Sequence, residues 1–174
     1  MTTPRLILVG EQNPHGSNPA HALYPHPRGC AGERLCRVVL GLREETYLRS
    51  FERRNLLTGT RWRTKEARSA ARDLEVDLGP TPAVVVMLGN KVRMAFGMTL
   101  LEFFESAPDG HRYLALPHPS GRCTLWTDPA NVRRAREALL RLAPHLPLGE
   151  ADLSNAFAES NPPDYAAEAG GFVQ

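Results

Sequence analysis

Two short segments hold side chains that could do chemistry together: Gly10-Glu11-Gln12-Asn13-Pro14-His15 and Leu116-Pro117-His118-Pro119-Ser120-Gly121-Arg122. Each directly follows an apolar, strand-like run. Between them they offer a carboxylate, a carboxamide and an imidazole. A carboxylate can activate a water, a carboxamide oxygen can hold one, and a neutral imidazole can donate a hydrogen bond to a departing anion. Neither segment is specific alone; their order, separation and shared context carry the information.

Something must bring these segments to one place. Residues 5–9 form a buried strand by their apolar content, followed by a Gly/Pro/His/Asn-rich loop to Gly29. Residues 32–42 have helical spacing, with Leu35, Val38, Val39 and Leu42 on one face. A short helix over 44–51 and a short strand over 54–57 follow. Thr64 is placed as the N-cap of a helix over 65–76, which Gly79-Pro80-Thr81-Pro82 ends. Ala83–Leu88 is continuous and β-branched without alternation, the pattern of a strand buried on both faces. Gly89 turns the chain into a helix expected over 90–104. Pro108-Asp109-Gly110 reads as a turn and His111–Leu116 as the last strand. Asp128 and Pro129 supply the N-cap and first position of a helix over Pro129–Leu142. Alternating strands and helices predict an α/β fold: a three-layer α/β/α sandwich around a four-stranded parallel sheet.

The chain of 174 residues suffices for one domain with a real core. Its longest apolar run is far too short to cross a bilayer, and a strand-like run begins too early for a signal peptide. A cytoplasmic protein is expected, nucleoid-associated if bacterial, with no membrane partner. Residues 147–174 contain five acids and no Lys or Arg, leaving 21 basic against 14 acidic residues in 1–146, a formal +7. Only Lys65 and Lys91 are lysines; the other basic residues are arginines, which suit bidentate contact with phosphate. The division expected is a glycosylase-like α/β domain over 1–146 and an acidic, weakly ordered tail over 147–174. Cys30, Cys36 and Cys123 fit no disulfide framework and no common metal spacing. His15, His21 and His26 lack a regularly spaced acidic or sulfur companion, so no metal site is assigned.

In open α/β sheets ligands bind beyond the carboxyl ends of strands. Asn13, Asn55, Gly89-Asn90-Lys91 and His118 all stand at or just after strand ends. At these residues the chain resembles the uracil-DNA glycosylase superfamily, over about residues 5–143. Gly10-Glu-Gln-Asn-Pro-His15 is similar to the family's first motif, written GQDPYH, GINPG or GEAPG in its branches. Ala20-His-Ala-Leu-Tyr24 is similar to the AHGLCF that follows in one branch. His118-Pro-Ser-Gly-Arg122 is similar to the second motif, written HPSPLS, HPSPR or NPSGL. One departure stands out: Gly10 and Asn13 are one residue further apart than in GQD or GIN.

The resemblance implies cleavage of an N-glycosidic bond in DNA, with no cofactor and no metal, by a monomer. It matches His118 to the histidine that donates to a uracil oxygen and Asn13 to the position that orients water. An Asn there implies slower chemistry than in branches with Asp, and Glu11 stands as an alternative water activator. Asn55 matches the asparagine that pairs with the base edge, and Tyr24 an aromatic that stacks on the flipped base. Arg122 sits where the second-motif loop would press into the minor groove, with Ser120, Gly121 and Lys91 placed to meet DNA. Plainer roles exist for each: Asn13-Pro14 as a turn, Asn55 as a strand-end cap, Tyr24 as a packing aromatic, Arg122 as a solvated loop residue. The run Arg133-Arg134-Ala135-Arg136 is expected on the wet face of the last helix. A catalytically silent DNA-binding member of the same fold is the alternative, motivated by the shifted first motif and the missing Asp. Hydrolysis of a small nucleoside is a third.

Overall fold

The structure, a computed structural model, describes residues 4–13, 18–109 and 111–148. It is α/β, with five strands in one sheet: β1 (Arg5–Gln12), β2 (Glu52–Leu57), β3 (Ala83–Leu88), β4 (Ser106–Asp109) and β5 (His111–Leu116). Their order is β2-β1-β3-β5-β4. The first four are parallel, and β4 runs antiparallel to β5 at the edge. The expected four-stranded, all-parallel sheet is thereby corrected. Pro108 and Asp109 belong to β4 rather than to a turn, while Gly110 lies outside the described residues. Proline is tolerated on an edge strand, where one ladder N–H is dispensable.

Helices cover both faces. β3 is buried along its whole length. Val84, Val86 and Leu88 join Leu6, Leu8, Leu114 and Leu116 in one core cluster. Against it pack α1 (Ala31–Arg34) with the π-helical turn that continues it (Leu35–Val39), α2 (Glu44–Ser50) and α5 (Pro129–Leu142). Val85 and Met87 join Ile7, Val9, Tyr113 and Ala115 in a second cluster, covered by α3 (Thr64–Leu78) and α4 (Asn90–Ala95). The alternation of faces follows from the two-residue period of a strand.

Several local expectations change. The helix expected over 32–42 changes to π geometry at Leu35, and Gly41 turns it off at φ +65°. Arg136, expected on the wet face, is buried against this turn. Its Nε and Nη2 donate to the carbonyls of Val39 (2.7 Å) and Val38 (3.0 Å). The orphaned carbonyls of an irregular helix end explain why a cation goes inside. α3 begins at Thr64 itself, with Arg63 in the capping position and no side-chain cap. α4 is shorter than expected. Gly97 (φ +74°) donates to Met94 O and Met98 to Arg93 O, the two-bond pattern of a left-handed C-terminal cap. α5 begins as expected, with Asp128 Oδ1 accepting from Ala130 N–H at 2.8 Å. Leu146 is buried and Leu148 packs on the first cluster; the acidic tail from 149 onward lies outside the described residues. Among the described residues no helix is long and apolar enough to cross a membrane.

Candidate active site at the strand ends

The chain leaves β1 for β2 on one side and passes through β3 to β5 on the other, so β1 and β3 flank the point where the winding reverses. Ligand crevices in open α/β sheets form beyond the carboxyl ends at such a point. Glu11 and Asn13 come from the end of β1, Gly89 from the end of β3 and His118 from the end of β5.

Gly89 is the hub. Its N–H donates to Leu116 O at 2.8 Å, tying the ends of β3 and β5. It sits at φ +96° and ψ 162°, which a side chain rarely tolerates. A Cβ there would lie 3.1 Å from His118 Cβ, 3.4 Å from His118 Cδ2 and 3.4 Å from Glu11 Oε1. A side chain here would be strained by the positive φ and would press on His118 Cβ.

His118 is half-buried between the buried Pro117 and Pro119. Its carbonyl accepts from Trp126 Nε1 at 3.0 Å. Its Nδ1 accepts from Ser120 N–H at 3.1 Å. The backbone N–H can only donate, so a neutral ring carries its proton on Nε2. Burial is the largest influence on its pKa; Glu11 pulls upward and Lys91 pushes downward, and the net result lies below 6.5. The imidazole is therefore an uncharged Nε2–H donor at neutral pH.

Glu11 Oε2 pairs with Lys91 Nζ of α4 at 2.9 Å. Lys91 lies 5.5 Å from the centre of the Trp62 ring. Gln12 Nε2 donates to Thr60 O at 2.6 Å, fixing the end of β1 to the loop after β2. Asn13 is buried just past β1; Pro14, His15, Gly16 and Ser17 lie outside the described residues.

A second group stands over Gly10, where β1 and β2 pair Gly10 with Asn55. A Cβ on Gly10 would overlap Asn55 Oδ1 and come within 3.2 Å of Leu23 Cδ2. The glycine of the first motif is thus the seat of the Asn55 amide. Tyr24, next to Leu23, is half-buried. The Arg53 guanidinium packs 5.5 Å from its ring centre, and His21 and His26 flank the ring at tilted angles.

The expected residues thus form two groups set on successive residues of β1, Glu11–Lys91–His118 around Gly89 and Asn55 over Gly10 beside Leu23. Ser120 acts through its backbone, orienting His118. Gly121 and Arg122 are exposed on the same loop. Sequence reasoning missed Arg53 and Trp62. Arg53 was findable, because residues two apart on a strand share a face and Asn55 is two further on; nothing in the spacing marks Trp62. An open concavity of about 410 Å³, lined by Arg5, Arg49, Glu52 and His145 among others, lies toward the opposite, amino-terminal ends of β1 and β2. It shares no residue with the site, and the placement of chemical groups favours the carboxyl ends.

No protein-family model matches the chain, and no curated protein matches it.

Proposed function

We propose that the chain is a monofunctional DNA glycosylase of the uracil-DNA glycosylase type, built on a three-layer α/β/α sandwich. It hydrolyses the N-glycosidic bond of uracil or a related damaged pyrimidine in cytoplasmic base excision repair. The observation that carries this is His118: a neutral imidazole with its Nε2–H fixed by Ser120 N–H, at the winding reversal beside a carboxylate.

In the proposed reaction the C1′–N1 bond breaks and its electron pair passes to the base. Water adds to C1′ and releases a proton to solvent. His118 Nε2–H donates to a base oxygen as negative charge develops there. One donor aimed at developing charge contributes about 2.7–4 kcal/mol. Asn13 holds the water by its carbonyl, and Asn55 reads the O4/N3–H edge with one acceptor and one donor. Tyr24 stacks on the flipped base. Lys91, Ser120, Gly121 and Arg122 meet the DNA, toward which the basic body draws it. The step uses only these side chains and water.

The alternative, a silent DNA-binding member, is favoured by one observation: Glu11, the carboxylate that acts on His118, is already tied to Lys91. Single-turnover base release by Asn13→Ala separates the two. Loss of release with normal folding and DNA affinity supports the enzyme. Salt-sensitive DNA binding without release by the unaltered protein, on any pyrimidine lesion, supports the alternative.

A further inference from the structure

Three successive carbonyls, those of Ala22, Leu23 and Tyr24, each accept a side-chain donor from a different part of the chain. Arg53 Nη1 of β2 donates to Ala22 O at 3.1 Å. Tyr47 OH of α2 donates to Leu23 O at 2.9 Å. Cys30 Sγ, ahead of α1, donates to Tyr24 O at 3.3 Å. Leu23 is held at φ +49°, a region few leucines occupy. Gly32 lies so close under the Leu23 and Tyr24 carbonyls that a Cβ would not fit. Backbone strain persists where surrounding contacts over-determine it, and such places cluster at functional sites.

What this segment fixes is the Tyr24 ring. Behind the ring stands Arg53, half-buried, its Cζ 5.5 Å from the ring centre. Its Nε has no hydrogen-bond partner among the described residues. Its Nη1 donates to the neutral Ala22 carbonyl, so among the described residues the guanidinium charge rests against a carbonyl dipole and a π face. Arg53 shares its sheet face with Asn55, two residues on, whose amide lies over Gly10 beside Leu23.

We infer that Arg53 is a positioning residue acting through Tyr24: it fixes the ring as a stacking platform and places a positive charge behind it, which favours the anionic form of a pyrimidine on the other face. This rests on the glycosylase proposal and deepens it. When the C1′–N1 bond breaks, the electron pair delocalises over the stacked base. The cation then stands one ring-to-cation distance of 5.5 Å plus one contact spacing, ~3.5 Å, from the new charge. At an effective dielectric near 20, that separation corresponds to roughly a twentyfold effect.

The test compares Arg53→Met and Arg53→Gln, which remove the charge, with Arg53→Lys, which keeps it. Single-turnover release is measured for uracil and for 5-fluorouracil, whose fluorine stabilises the anion and lowers the need for help. The neutral variants are expected to slow uracil release roughly twentyfold and 5-fluorouracil release distinctly less, with Arg53→Lys near the unaltered protein. Equal slowing of both bases would mean mere structural support and would overturn the inference. A second readout needs no turnover: NMR titration with barbiturate, an anionic pyrimidine, and with neutral uracil. The neutral variants are expected to lose barbiturate affinity several-fold more than uracil affinity. If the unaltered protein releases no base, the glycosylase proposal falls and the titration alone decides; no selective loss of the anion overturns the inference.

Discussion

Replacing Gly89 by alanine tests the hub on which the His118 imidazole and the Glu11 carboxylate meet. The residue sits at φ +96° and ψ 162°, and holding a side chain in that region costs about 1–3 kcal/mol. The new methyl would also lie 3.1 Å from His118 Cβ and 3.4 Å from Glu11 Oε1. The carboxylate can swing aside. His118 Cβ cannot easily do so, because its backbone is held by Trp126 Nε1 at 3.0 Å and by two buried prolines. Relieving that contact adds about 1 kcal/mol, the lower end of overpacking costs. The sum is about 2–4 kcal/mol, which for a chain of this length lowers Tm by roughly 5–15 °C. A displacement of a few tenths of an ångström at the imidazole also slows base release by about tenfold, given that 1 Å costs about a hundredfold. Thermal unfolding by circular dichroism and base release well below the melting range give the two numbers. A Tm within a degree of the unaltered protein, with full activity, would refute the reasoning.

His118 sets the pH dependence. Its pKa lies below 6.5 in the folded protein, so the neutral donor form predominates at pH 7 and base release is expected to fall as pH drops below 6.5. Between the folded pKa and 6.5 the unfolded chain holds more protons, so stability contributed here is full above 6.5 and is lost as pH falls through the folded pKa. Lys91→Met removes a downward influence and is expected to raise the pKa; Glu11→Gln removes an upward one and is expected to lower it. NMR titration of the His118 ring checks both signs, and the opposite order would contradict the geometry. Arg136→Met strips charged donors from the buried carbonyls of Val38 and Val39 and is expected to cost about 2–4 kcal/mol in chemical denaturation. A cost under 0.5 kcal/mol would deny Arg136 that capping role.

What the sequence revealed depended on whether the determining signal was local. β3 was legible because a strand covered on both faces must be apolar throughout, and Ala83–Leu88 is. The positions of Glu11, Asn13 and His118 were legible because strand ends are marked by where apolar runs stop. β4 was not, because an edge strand needs no core side chains and Ser106-Ala107-Pro108-Asp109 carries a turn-like pair. α4 was overextended because residues 90–104 keep helical periodicity past Gly97, where a left-handed cap ends the helix. Arg136 looked solvated because charge and periodicity do not show which carbonyls of a distant segment lack partners. The seat of Asn55 over Gly10 depends on the pairing of β1 with β2, a register set by tertiary packing rather than by either segment alone.

The most direct measurement of the central claim is release of free uracil, quantified by mass spectrometry, from oligonucleotides bearing it in single strands and opposite G or A. The unaltered protein is set beside His118→Ala, with folding of both checked by thermal unfolding. Free uracil and an intact abasic strand are expected from the unaltered protein, and a 10²–10³-fold slower release from the variant. Equal release by both proteins would contradict the role given to the Nε2–H donor at the strand ends. No release by either would contradict the glycosylase assignment itself.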